Sequence, residues 1–426
     1  MRPKNLQKVP KFLACLALSA GGLCGQVSSG PLRIDMDQAI RLAIDHNHAL
    51  KAARTQVQQS QAEEITAAIR PNPVFNYDDL FVPILSPGSL TGNNINNITE
   101  FDGGITYTFE RGHKRQARIR AAQDQTRVVR SGVLDNERTL TFSVAQQFIG
   151  VLLAKSNLDF AQQDLASFEE TVNLSEDRYR AGAISEGDLL KIKLQLLQFQ
   201  TDVASARLAL VQSRVGLRQL LGFDTVPLDY DVVGELAYTP LKLNQEDLQL
   251  LALKQRPDFI AAGQAVTAAQ SQYLLAKANG KRNLTTTLDY THVSAVNSAS
   301  FTMNIEIPIF DRNQGEIART KYAIDQSQES AAAAHDTVMT DVADSYQGLK
   351  SADEVVQLYL SGSLKQAQDS RDISEYAYKR GAASLLDFLD AERSYRATQL
   401  AYRQALASYM AALEQLREAV GTRNVP

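Results

Sequence analysis

Tyr179-Arg-Ala-Gly182-Ala-Ile-Ser185-Glu-Gly-Asp188-Leu-Leu190 returns 199 residues later as Tyr378-Lys-Arg-Gly381-Ala-Ala-Ser384-Leu-Leu-Asp387-Phe-Leu389. Around it, residues 175–222 align without a gap on 374–421, with 13 of 48 positions identical. A fixed offset over that length means one structural unit given twice. In each copy the glycine can take the positive φ that ends a helix. The serine fits as N-cap of the next helix, and the aspartate three residues on as its capping-box acid. The stretch reads as the turn of a helical hairpin.

The helix after each turn carries a 3-4 apolar spacing. The first runs Leu189, Ile192, Leu196, Phe199, Val203, Ala206, Leu210, Ser213, Leu217, Leu220, and the second Phe388, Ala391, Tyr395, Thr398, Tyr402, Ala405, Tyr409, Ala412, Leu416, Ala419. Such a seam, sustained over five heptads, predicts coiled-coil packing. Ahead of each turn lies a stretch without proline, roughly 111–180 and 312–380. Each would reach about 100 Å if helical throughout. That length suits a tube or stalk.

Before each long helix come two strand-like segments, about 74–82 with 101–109, and about 284–293 with 301–309. Phe101, Gly103, Ile105, Tyr107 and Phe109 alternate with polar or small residues, and so do Phe301, Met303, Ile305, Ile307 and Ile309. One apolar, aromatic face against one polar face over ~10 residues is the pattern of a transmembrane β-barrel. A soluble sandwich strand shares it, so the wider context has to decide. Four strands cannot close a pore, since barrels begin near eight. Several copies must share one barrel.

The N-terminus supplies that context. Arg2, Lys4, Lys8 and Lys11 precede the apolar run Phe12–Leu23 and then small residues, the layout of a secretory signal peptide over 1–30. Cleavage after Gly22, Gly25 or Ser29 is open. Both cysteines, Cys15 and Cys24, fall in this segment, which raises lipidation of Cys24, although Leu23 before it fits a lipoprotein site poorly. The whole chain carries −4, and removing the four basic residues leaves −8 on the remainder, which argues against a nucleic-acid partner. Past the signal no apolar run is long enough for a membrane helix, which leaves a closed barrel as the spanning structure.

In this order the elements resemble the TolC-like outer-membrane efflux proteins, the outer membrane factors. The resemblance covers essentially the mature chain. Its further motifs are Arg70-Pro-Asn-Pro73 entering the first strand and Ile307-Pro-Ile-Phe-Asp-Arg-Asn-Gln-Gly-Glu-Ile-Ala-Arg319 leaving the fourth. Within the latter, Phe310–Gly315 looks like the heavy-metal branch of the family, though drug and solvent exporters share much of it.

The resemblance implies a mixed α+β membrane protein and a homotrimer, each subunit giving four strands to one twelve-stranded β-barrel embedded in outer-membrane lipid. A long α-helical coiled-coil barrel continues into the periplasm. It implies repeats over 31–222 and 258–421, an equatorial connection at 223–257 and a tail at 422–426. The partners implied are a periplasmic adaptor and an inner-membrane transporter. Gly182, Ser185, Gly381 and Ser384 match the adaptor-docking tip. Tyr378 matches the family's gate tyrosine, with Asp188 as a gate acid. Asp387 and Asp390, three apart on one helix face, match an acidic ring, where six carboxylates from three subunits would bind cations. The basic residue expected two positions after the second tip glycine is Ala383 here, so Arg380 is the substitute partner for Asp188.

Enzyme chemistry finds no motif. Phosphate loop, nucleophile elbow and Cys/His zinc cluster are missing from the sequence, and His46 and His48 are spaced onto different helix faces. No cofactor is expected. The rival to a passive exit duct is a structural coiled-coil protein of the cell envelope, which needs neither alternating strands nor a duplicated tip.

Overall fold

The computed structural model describes residues 32–82, 84–86, 88, 91–294 and 296–424. The expected signal peptide, with Cys15 and Cys24, lies outside the described residues.

A short strand, β1 (Arg33–Ile34), leads into α1 (Met36–His46), opened by a capping box between Asp35 and Gln38. Asn47 turns the chain and caps α2 (His48–Ala68). Arg70-Pro-Asn-Pro73 then leaves the helical region for β2 (Val74–Leu80), where proline's fixed φ favours extended backbone. A seven-residue helix, α3 (Gly92–Ile98), precedes β3 (Glu100–Phe109). From there α4 (Lys114–Arg180) runs 67 residues without a break, and α5 (Glu186–Leu221) returns along it. The connection holds β4 (Asp231–Val232), paired in parallel with β1, and α6 (Gln245–Gln255).

The second half repeats the scheme with α7 (Pro257–Asn279), β5 (Leu284–Val293), β6 (Val296–Ile305), α8 (Gln314–Leu358), α9 (Leu364–Lys379) and α10 (Leu385–Val420).

Two expectations are corrected. The fourth strand occupies 296–305 rather than 301–309. It pairs with β5 from Val293–Val296 to Leu284–Ile305, so it starts at the hairpin and stops where its partner starts. The Asn-Ser-Ala-Ser stretch at 297–300 hid that beginning, and Pro308, lacking an N–H, keeps the following residues out of the ladder. The long helix over 312–380 is also not continuous. One π-type turn at Tyr359–Ser363 separates α8 from α9, with Gly362 at φ 141°, which a residue bearing a Cβ rarely adopts.

The four barrel-type strands form one antiparallel sheet in the order β2–β3–β5–β6. The register sorts its faces. Phe75, Ile105, Leu288 and Phe301 lie in one row, and Phe109, Leu284 and Ile305 in another on the same face. The opposite face carries Thr106, Thr287 and Thr302 in one row, and Asn76, Gly104, Asp289 and Ser300 in the next. Among the described residues Phe75, Leu288, Phe301 and Met303 on the apolar side are all exposed. Water would not tolerate such a surface, and lipid would.

Among the described residues the helices bury four separate clusters rather than one core, the smallest of them around Leu50, Ala53 and Val133. The first lies where α1, α4 and α5 meet β1 and β4, around Phe148, Leu217, Leu221 and Tyr230. The second joins α6, α8 and α10 around Leu248, Val338, Val342 and Leu416. The third sits at the far end, around Phe168, Phe199, Tyr378 and Phe388. Arg256, almost fully buried, ties the start of α7 to α8 through Asp258 (2.6 Å) and Asp341 (2.7 Å). None of the described helices is long and apolar enough to cross a membrane.

Candidate functional site: the paired helical tip

Both helix–helix turns stand at the same end of the molecule, although 199 residues separate them. Each begins with a helix C-terminus closed by two backbone hydrogen bonds across the turn. Gly182 (φ 74°) donates its N–H to the Tyr179 carbonyl, and the Ala183 N–H reaches the Arg178 carbonyl. Gly381 (φ 77°) and Ala382 repeat this on Tyr378 and Ala377. This satisfies carbonyls the helix end would leave unpaired.

The returning helices start as the spacing predicts, with one difference. At Ser384 the capping box is complete: the Asp387 N–H donates to Ser384 Oγ at 3.1 Å, and the Ser384 N–H to Asp387 Oδ2 at 3.3 Å. At Ser185 the N-cap bond from the Asp188 N–H is present (3.1 Å), but the Asp188 carboxylate accepts from the serine hydroxyl (2.9 Å) instead of closing the box. Lys191 lies 3.6 Å from that carboxylate. Replacing Ser384 by Ala is expected to cost about 1 kcal/mol, read as a lower urea midpoint for the tip helices. An unchanged midpoint would show that the cap contributes nothing.

Tyr378 is buried inside its own subunit. Its hydroxyl lies 3.2 Å from Ser175 Oγ on α4, and Arg178 donates to its backbone carbonyl at 2.8 Å. Its ring stacks on Phe388 (5.4 Å between centroids), which faces Phe168 (6.4 Å), which stacks on Phe199 (4.3 Å). One aromatic column thus joins α9, α10, α4 and α5. Asp387 and Asp390 are exposed, and Arg393 lies 3.9 Å from Asp390. Arg380 sits over the Tyr376 ring at 4.6 Å, so within the subunit it does not meet Asp188.

The column ends on a cluster of charges that sequence reading did not single out. Arg396 covers the Phe199 ring at 4.1 Å, bonds Asp164 at 2.6 Å and pairs with Asp202. Glu392 shares a hydrogen bond with Asp164, and Arg371 approaches it at 3.9 Å while holding Glu375 at 2.9 Å. Burial, and then the adjacent Asp164 carboxylate, push Glu392 up to about 8; burial also raises Asp164. In sequence these are isolated acids and arginines on four helices. The only signal was Glu392 falling close to the buried seam of α10.

No group of three or more metal-ligating side chains occurs among the described residues. The polar face of the sheet does carry acids in register, with Asp78 opposite Asp102 and Asp289 beside Gly104.

The model of the outer membrane efflux proteins matches residues 39–223 and 249–422, so both halves fall within it. The chain belongs to the outer membrane efflux protein family. Its relatives include the pyoverdine export outer membrane protein OpmQ of Pseudomonas putida, 25% identical over 91% of this chain and 86% of that one. The cobalt-zinc-cadmium resistance protein CzcC of Cupriavidus metallidurans is 23% identical over 90% and 89%. Among solved structures, the CmeC outer membrane channel of Campylobacter jejuni superposes with a TM-score of 0.75 over 91% of this chain and 85% of that one, at 16% identity. The fold is that of these TolC-like channels, and the protein is an efflux channel of the outer membrane with a periplasmic helical domain. Its family is one of transport proteins, not of enzymes.

Proposed function

We propose that the chain is the passive exit duct of a tripartite efflux system. Three copies would share a twelve-stranded barrel, with the helical hairpins of the two repeats lining a periplasmic tunnel and the 223–257 connection forming a belt around it. The observation that carries this reading is the sheet β2–β3–β5–β6, which has an uncovered apolar face and two unpaired edges. Exposed edges invite further pairing, and in lipid every edge must be closed. Joining β6 of one copy to β2 of the next satisfies both demands.

The tip would then receive a periplasmic adaptor at the surfaces around Gly182, Ser185, Gly381 and Ser384, and the adaptor would connect it to an inner-membrane transporter. Asp387 and Asp390 would form the acidic ring near the axis, with Asp188 as a gate acid. Tyr378 would act as a gate residue by fixing the tip from within rather than by reaching a neighbour.

For cargo we favour metal cations. Asp78, Asp102 and Asp289 on the polar strand face and Asp387 and Asp390 at the tip give negative charge at both ends of the path, and opposite charge raises the local cation concentration. The test is a deletion strain complemented from a plasmid. Selective hypersensitivity to zinc, cobalt, nickel or copper is expected. Sensitivity to dyes and detergents alone would make the cargo organic. Normal growth in both panels, together with no conductance from the purified protein in a planar bilayer, would favour an envelope scaffold.

A further inference from the structure

A basic groove opens directly below the apolar face of the sheet. It runs between the start of α4 and the end of α7 and holds about 410 Å³, with His113, Gln116, Arg120, Leu274, Lys277 and Lys281 in its lining. Among the described residues that lining includes no acid. Lys281 is held in place there: Gly112 (φ 73°) lies so close that a Cβ on it would stand 2.6 Å from Lys281 Cγ. Lys277 lies over the Tyr273 ring at 4.3 Å. Further down, Arg127 is matched by Asp124 at 2.7 Å, whereas Arg120 stands 3.9 Å from the same carboxylate. Arg120, Lys277 and Lys281, all exposed, thus leave the groove with a surplus of positive charge. The N-terminal dipole of α4 adds to it, and His113 at the N-cap makes no side-chain cap bond.

The groove opens on the side of the apolar sheet face. Lys114 Nζ bonds Asn283 Oδ1 at 2.7 Å, and alternation along the strand puts Asn283 on the polar face with Thr285. Gln116, Arg120 and Arg127 stand between about 120° and 160° around α4 from Lys114, so they continue the opposite, apolar face. The depth fits as well. Phe109, Leu284 and Ile305 form the last apolar row before the helices, and His113 and Lys281 lie within four residues of it. Arg120 stands about 10 Å below His113 along α4. A headgroup layer is about 5–8 Å thick on each side of the hydrocarbon, and long basic side chains reach up to it. Further copies joined at the sheet edges leave the groove open, because α4 and α7 are the two middle helices of the layer α2–α4–α7–α8.

We infer that this groove is a binding site for the headgroup of an anionic glycerophospholipid in the periplasmic leaflet. Arg120, Lys277 and Lys281 surround its phosphate, and its acyl chains rise along Phe109, Leu284 and Ile305. A zwitterionic lipid brings its own ammonium among these three cations, so the site selects headgroups of net negative charge. The inference uses only the outer-membrane location and no choice of cargo, adaptor or pump.

Native mass spectrometry of the full chain in detergent, titrated with phosphatidylglycerol or with phosphatidylcholine, tests it. The parent is expected to bind phosphatidylglycerol roughly tenfold more tightly or better, at a saturable site in each subunit. Lys277→Gln with Lys281→Gln should abolish that preference. Lys242→Gln with Lys254→Gln, which removes the same charge from exposed positions at α6, should keep it. Far-UV circular dichroism matching the parent shows that both pairs fold, and Arg120→Gln, read in the same titration, should weaken the preference independently. Glycerophosphoglycerol, the same headgroup without acyl chains, should not displace the lipid at millimolar concentration. Equal affinity of the parent for the two lipids, or an equal loss in both variant pairs, would overturn the site. Displacement by the soluble headgroup would overturn the lipid as occupant and leave a site for a free phosphate ester.

Discussion

Phe388→Ala should loosen the tip more than any other single truncation in the helical region. Phe388 is 1% exposed and lies between the Tyr378 and Phe168 rings. Removing a buried phenylalanine costs about 3–5 kcal/mol when the site cannot collapse. Collapse is hindered here, because each ring of the column comes from a different helix and two hairpin turns hold the four helices in place. The tip core is also separate from the other buried clusters, so the loss should appear as local opening rather than global unfolding. Amide exchange across 160–200 and 370–400 is expected to accelerate roughly a hundredfold or more, since each 1.4 kcal/mol is tenfold. Exchange around Phe148 and Tyr230 should stay unchanged. Phe388→Leu, which keeps most of the volume, should recover most of the protection. Uniform acceleration over the whole chain would refute the independence of the tip.

The second large effect is a dependence on pH. Glu392 is raised to about 8 from an ordinary 4.5, so between those values the folded tip holds a proton that the unfolded chain releases. Stability from this group is therefore full below about 4.5 and falls as pH rises toward 8. Asp164 shifts in the same direction. Lowered carboxylates elsewhere, Glu375 at the tip and Asp231 and Asp258 higher up, act oppositely and lose their contribution only as pH falls through the acid range. Burial raises Glu418 as well, but beside Arg138 and away from the tip, so at the tip the alkaline slope belongs to the Asp164–Glu392 pair. Glu392→Gln, which mimics the protonated acid and keeps a donor toward Asp164, should flatten that slope and stabilise the tip at pH 8 by more than about 1 kcal/mol. Urea midpoints at pH 6 and pH 8 measure it. A variant with the parent's slope would show that Glu392 is already ionised in the folded state.

The sequence alone determined the parts of this protein that neighbouring residues can encode. The Gly-x-x-Ser-x-x-Asp turns were legible because helix ends are closed by groups three to six residues apart; both have the predicted glycine and serine cap, and the capping box closes at Ser384 but not at Ser185. The heptad seams were legible because helical period puts them on one face, and strand β3 because alternation does the same for a sheet. The site residues Gly182, Ser185, Gly381, Ser384 and Asp387 follow from the same local rules. Strand β6 was misplaced because its start is set by β5 across the hairpin and not by its own Asn-Ser-Ala-Ser stretch. The break at Gly362 escaped because one glycine in a long helical stretch carries no sign of the φ it will take.

Only the tertiary structure decided which distant groups meet. It brought Tyr378 to Ser175, 203 residues away, and so buried a residue that the turn motif alone would leave facing outward. It gathered Asp164, Asp202, Glu392 and Arg396 from three helices into one charged cluster, where loss of water moves the proton affinity of a glutamate that looks ordinary in sequence. It also covered one apolar seam of α5, through Ile192, Phe199 and Leu217, and left another, through Leu190, Leu194 and Leu208, bare. Both seams obey the same spacing, and spacing fixes only which residues share a face; what lies against that face depends on contacts between chain segments far apart, and those exist only once the helices have packed.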